Sequence, residues 1–174
     1  MRLYRARIPA IAQQVIEVLR SDDSLEILPT NREEAQRDLE AILENFMVRD
    51  GDLRTAVKDY MANHSIPYER FGRVRGQIAE QWGHPLGDDV ERWLARQFIE
   101  QFMMSNFVEE VWAEDKHLYK IIVDTLRGFT VDEAALREEA KGRIKNVREG
   151  TVDYELALQR AVREVKKRHG LLAP

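Results

Sequence analysis

Glu114-Asp115-Lys116-His117 sets a carboxylate and an imidazole three residues apart. That spacing puts both on one helix face in di-iron bundles, where a second Glu-x-x-His and further glutamates complete the centre. The remaining histidines do not supply it, because the residue at i−3 is Met61 before His64, Gln81 before His84 and Lys166 before His169. The segment therefore reads as a solvated acidic helix start, and neither a metal nor another cofactor is expected. His64 and His169 each close a predicted helix, where an imidazole complements the negative end of the helix dipole. Glu33 with Glu34 and Glu138 with Glu139 are paired carboxylates in the first turns of helices, which they complement in the opposite sense. The chain has no cysteine, which excludes thiol nucleophiles, disulfides and thiolate metal sites. No serine lies in Gly-x-Ser-x-Gly and no glycine-rich phosphate loop occurs. No residue is assigned a catalytic role, and the sequence points away from an enzyme.

Two other groups of side chains could carry binding. Arg70, Arg73 and Arg75 are flanked by Tyr68 and Phe71, and Arg160, Arg163, Lys166, Lys167 and Arg168 crowd the end of the last helix. Cations beside aromatic rings are what a phosphate-and-stacking surface for RNA or DNA requires. Against that stands the net charge of −4, from 27 Lys and Arg and 31 Asp and Glu, and the absence of a helix-turn-helix signature. Dipole complementation and solubility account for the same cations. The segment from Trp93 to Trp112 is rich in Trp, Phe and Met, residues that fill cores and dominate protein contacts alike. Val90, Leu94, Phe98 and Phe102 advance in steps of four, so Trp93, Phe98 and Phe102 are expected to be structural.

The bulk composition sets the frame for these elements. With 174 residues, 44% of them hydrophobic, and only nine Gly and five Pro, the chain can bury a core unaided and favours helix. Its longest apolar runs, such as Phe102-Met103-Met104, fall far short of the roughly 20 residues needed to span a bilayer. Pro9, Gln13 and Gln14 interrupt any signal-peptide apolar region after the basic start, so a cytoplasmic location is expected.

Shifting the chain by 105 residues lays Arg32-Glu33-Glu34-Ala35 on Arg137-Glu138-Glu139-Ala140 and continues without a gap to His64 on His169, with nine of 33 positions identical. Upstream, a shift of 107 brings Val15-Ile16 onto Ile122-Val123 and Leu19-Arg20 onto Leu126-Arg127. These offsets predict a tandem duplication: a three-helix repeat at 1–64, connecting helices with an aromatic face at 65–107, and a second repeat at 108–174. In the first copy, Ile8, Ile11, Val15, Val18 and Leu19 form one helical stripe, with Pro9 tolerated in the first turn. A second helix begins after Asn31 as N-cap and carries Ala35, Leu39, Ile42 and Phe46. Asp50-Gly51-Asp52 is expected to break it before a third helix bearing Leu53, Ala56, Val57 and Tyr60. In the second copy a Thr130-x-x-Glu133 capping box opens the stripe Leu136, Ala140, Ile144 and Val147. Glu149-Gly150-Thr151 makes the break in this copy, before Leu158, Ala161, Val162 and Val165. Between the copies, Tyr68 to Trp82 is helical and ends at Gly83-His84-Pro85, and Asp88 or Asp89 caps the next helix.

Met1-Arg2-Leu3 opening a helix, Arg32-Glu33-Glu34-Ala35 through Leu53 and Val57, and Asn106-Phe107-Val108-Glu109-Glu110-Val111-Trp112-Ala113-Glu114-Asp115 followed by Leu118 to Leu126 resemble a bacterial family known as domain of unknown function 507. The resemblance covers nearly the whole chain, here in a tandem two-copy form. It implies an all-helical cytoplasmic protein and no particular chemistry. The expectation is thus an all-α protein of two similar three-helix units around a central helix pair. Its expected role is a non-catalytic interaction or scaffold protein with an unknown protein partner or as a homodimer. RNA or DNA binding through 70–75 and 160–168 is the alternative.

Overall fold

The computed structural model describes residues 1–144 and 147–172. Among these, seven α-helices account for most of the chain: α1 (Ile8–Ser21), α2 (Arg32–Asn63), α3 (Phe71–Trp82), α4 (Asp89–Met104), α5 (Asp115–Gly128), α6 (Glu133–Lys141) and α7 (Val152–Arg168). The all-α class holds, with one addition. Two short strands, β1 (Leu25–Glu26) and β2 (Glu110–Val111), pair antiparallel with Leu25 opposite Val111. The residues group into two compact units, one of Met1 with Pro9–Phe129 and the other of Arg2–Ile8 with Thr130–Pro174.

In the first unit α4 packs on α5 and on α2, and α3 packs on α2. Each helix buries the stripe its spacing dictates: Ile11, Val15 and Leu19 from α1, Leu94 and Phe98 from α4, and Leu118, Ile122 and Leu126 from α5. Pro9 lies in the first turn of α1, as expected, but Met1-Arg2-Leu3 does not open a helix, which starts only after a 3-10 turn at Arg5–Arg7.

The largest departure from the sequence reading is α2, which runs unbroken through Asp50-Gly51-Asp52. Its stripe explains why. Leu39, Leu43, Phe46, Leu53, Val57 and Met61 are buried, and Asp50 falls in step between Phe46 and Leu53, so the polar residue occupies a place in the stripe rather than an interruption of it. Its carboxylate is matched from α3, where Arg75 Nη2 lies 2.7 Å from Asp50 Oδ1. Below Asp50, Leu53, Val57 and Met61 form one cluster with Val74, Ile78 and Ala79 of α3. Tertiary packing on both sides of Gly51 outweighs the cost of about 1 kcal/mol for a glycine in a helix interior. By contrast, α6 and α7 are separate helices. In the first copy the helix pair expected over 32–62 is therefore corrected to one long helix, so that copy has two helices where three were expected, whereas the second copy keeps the expected pair, α6 and α7.

In the second unit α6 packs on α7, and Tyr4, Leu136, Ala140, Tyr154, Leu158, Val165 and Leu171 share a core. Two short helices cannot enclose a core between them, and Tyr4 from the chain's start completes it. Its hydroxyl donates to Glu133, whose carboxylate also receives Lys166 Nζ at 2.7 Å. One cap lies elsewhere than expected, and one holds its expected position without a side-chain bond to the helix. α6 starts from Asp132, whose side chain accepts from the Ala135 N–H at 2.9 Å, rather than from a box at Thr130, because the carboxylate next to the helix suits its positive end better than a hydroxyl. Asn31 does precede α2, but its amide donates to Glu109 at 3.1 Å instead of capping. The break at 149–151 is present. Gly150 takes φ +81 and Thr151 caps α7 by accepting from the Tyr154 N–H. α6 stops earlier than expected, at Lys141, leaving Ile144 and Val147 to pack on the core from beyond the helix.

Candidate functional site

The α2–α3 pair forms an open groove of about 560 Å³ lined by Ala56, Tyr60, Val74, Gln77, Ile78, Glu80, Gln81 and Trp82. Val74 and Ile78 are buried, while Tyr60 is 43% and Trp82 37% exposed. Tyr60, expected on the apolar stripe of its helix, and Trp82, expected at a helix end, both face the groove. Tyr60 lies one step off the buried stripe of α2, and that offset is the signal in the sequence that leaves it on the groove.

The C-terminal end of α3 is built to hold Trp82 in place. Gly83 closes the helix in the left-handed region at φ +58, a conformation that L side chains adopt at a cost, and the His84 N–H donates to the Ala79 carbonyl at 2.8 Å. Arg49 of α2 donates to the Trp82 carbonyl. The chain then turns His84 inward, where its side chain is fully buried and stacks on Phe46 with ring centroids 4.9 Å apart. Phe46 in turn meets Trp93 of α4 at 5.7 Å. His84 Nε2 lies 3.4 Å from Asp50 Oδ1, a charge-contact distance at which neither ring nitrogen attains hydrogen-bond geometry. Burial pushes the imidazole below its ordinary range, with Asp50 acting in the opposite sense. Asp50 is thus shared by Arg75, by Arg54 at 3.7 Å and by His84. From the sequence, His84 is expected only as part of the helix stop Gly83-His84-Pro85.

Glu114 stands at the N-cap of α5, and His117 Nε2 reaches Asp22 Oδ2 at 2.7 Å instead of a second carboxylate–histidine motif. Hydrogen bonds from Ser24 first, and then from His117, hold the Asp22 carboxyl below its usual range. His64 sits at the end of α2 with Nδ1 2.8 Å from the Tyr60 carbonyl. His169 sits at the end of α7 with Nε2 2.9 Å from Glu139, and that contact is the main cause lowering the Glu139 carboxyl. Glu33 and Glu34 pair with Arg37, and Glu138 with Lys141. No group of three or more metal-ligating side chains is present among the described residues.

Of the basic residues, Arg75 and Lys166 are committed to Asp50 and Glu133. Arg70 and Arg73 are exposed in the first unit beside Tyr68, which is 77% exposed and stacked on Phe71. On α7, Arg160, Arg163 and Arg168 are exposed and Lys167 is half-buried. The aromatic segment divides. Phe98 and Phe102 are buried and Trp93 half-buried, whereas Met103, Met104 and Trp112 are exposed.

The family model described as protein of unknown function (DUF507) matches residues 1–171. The chain belongs to this family. The DUF507 match is a single one running through both stretches that the 105-residue offset aligns, and no separate match marks either as a copy of its own. No curated protein matches the chain. No helix among the described residues of this DUF507 protein is long and apolar enough to cross a membrane.

Proposed function

We propose that the protein is a non-catalytic helical interaction protein of the bacterial cytoplasm, which seats apolar side chains of a protein partner in the α2–α3 groove. The supporting observation is the pair of half-exposed rings, Tyr60 and Trp82, over the buried Val74 and Ile78. Large rings held by a rigid frame gain contact area at small entropic cost, the property that makes aromatic residues anchor interfaces. Gln77 and Gln81 supply amides along the same groove for backbone groups of the partner. The partner is a second copy of the chain or another protein. Affinity capture from the native cytoplasm, with and without nuclease, and light scattering of the purified chain test this with wild type and Tyr60→Ala/Trp82→Ala. Loss of capture or self-association in the double variant, with melting temperature retained, is the expected result. Unchanged association would count against the groove.

A second reading, RNA or DNA binding, is favoured by the stacked Tyr68–Phe71 pair beside Arg70 and Arg73, neither of which forms an ion pair among the described residues. With Arg75 and Lys166 engaged, its cations are Arg70 and Arg73 and, separately, Arg160, Arg163, Lys167 and Arg168. Charge reversal at Arg70 and Arg73 should abolish salt-dependent oligonucleotide binding if this reading holds.

We also propose that the offsets record an ancestral duplication. Supporting it, α1 and α5 are both 14-residue helices that start 107 residues apart, and α2 and α7 end 105 residues apart at Asn63 and Arg168. A family alignment in which the 105-residue register is no better matched than neighbouring offsets would overturn it.

A further inference from the structure

We propose that His84 is a proton-operated latch: neutral, it locks the 83–88 turn against α2, and protonated, it releases that turn together with the Trp82 wall of the groove. The proposal goes beyond the interaction reading and needs no partner to be true. Its basis is a ring with no exposed side-chain surface whose Nε2 has only the long 3.4 Å contact with Asp50 Oδ1 and whose Nδ1 has no partner among the described residues. In the neutral state such a ring behaves as a flat aromatic, and its stacking on Phe46 uses that property. The charged groups that face it are Asp50 and Arg49 from α2 and Arg75 from α3. α4 contributes the uncharged Trp93, which packs on Phe46.

A second proton on the imidazole would place a cation where the carboxylate is already taken. Asp50 Oδ1 is 2.7 Å from Arg75 and only 3.4 Å from the ring, and Asp50 Oδ2 faces Arg54. One carboxylate would then serve three cations, with Arg49 a further positive charge nearby. An imidazolium is relieved of this by moving to water, and His84 lies on a turn two residues from Trp82, where the movement gives up the His84 N–H bond to the Ala79 carbonyl and strains the 3.0 Å bond from the Met1 ammonium to the Gly87 carbonyl but leaves the helix interiors intact. Burial is the main cause holding the folded imidazole below its ordinary value of 6.5; Asp50 opposes it, and Arg49 and Arg75 add to it as lesser causes. The sign follows from linkage. A depressed folded value gives stability that is complete above 6.5 and is lost as pH falls through the folded value.

The experiment follows the His84 ring signals by NMR in the full chain from pH 8 to 5. It is run beside the urea midpoint and the tryptophan emission of a Trp112→Phe background, and repeated in His84→Phe. The expected result is a His84 titration midpoint below 6.5, a red shift of emission with that same midpoint, and a fall in urea midpoint between pH 7 and 5 that His84→Phe lacks. A His84 midpoint at or above 6.5, or equal pH dependence in wild type and His84→Phe, overturns the latch. Asp50→Asn provides a check should His84→Phe fail to fold. With its one carboxylate removed, the His84 midpoint must move further down, and an unmoved midpoint likewise overturns the proposal.

Discussion

Gly51→Ala isolates the feature on which the first unit depends, the continuity of α2. Gly51 is the twentieth of the 32 residues of α2, is exposed, and a methyl added there meets nothing within 4 Å. It is not among the glycines with positive φ. The substitution therefore adds no clash and removes no contact, and what remains is the helix-propensity difference, about 0.8 to 1.0 kcal/mol in favour of alanine. With a urea m-value of about 1 to 3 kcal/mol/M, the midpoint should rise by roughly 0.3 to 1 M at unchanged m. Gly83→Ala is the internal contrast. At φ +58 a side chain meets the left-handed penalty of about 1 to 2 kcal/mol, so this variant should fall while Gly51→Ala rises. Urea titrations followed by far-UV circular dichroism measure both. If residues 50–52 formed a turn, as their composition suggests, alanine at 51 would be neutral or harmful. A Gly51→Ala midpoint at or below wild type would refute the tertiary account of α2.

Phe98 has no exposed surface, and Phe98→Ala should cost about 3 to 5 kcal/mol, seen as a sharp loss in melting temperature before any effect on association. Asp132→Ala removes the side-chain acceptor at the start of α6 and should cost about 0.5 to 2 kcal/mol, with protection lost first at the Ala135 amide in hydrogen exchange. Because contact with His169 lowers the Glu139 carboxyl, Glu139 contributes stability that is present above the ordinary carboxylate value of 4.5 and lost as pH falls through the folded value. An acid titration of melting temperature should accordingly be shallower in Glu139→Gln than in wild type, and parallel curves would show the contact to be without effect.

The helical class, the stripes of α1 and α4, and the stops at 83–85 and 149–151 were legible in the sequence, because each depends on neighbours within one or two turns. So were the burial of Phe98 and Phe102 and the helix-end positions of His64 and His169. The cap at α6 differs from the expectation by a narrow margin, since Thr130 and Asp132 are both competent and the better match of a carboxylate to the positive helix end decides between them. The continuity of α2 could not be read locally. Asp50-Gly51-Asp52 has the composition of a turn, and it stays helical because Arg75, 25 residues away, meets Asp50 while Val74 and Ile78 cover Leu53 and Val57. Nor could the sequence show that Tyr4 belongs with Leu136 and Leu158, or that His84 turns inward beneath Phe46. Local spacing determines what each segment can become. Which partner is buried against it depends on contacts between residues distant in the chain, and those contacts decide whether a polar residue in an apolar stripe ends a helix or is held inside one.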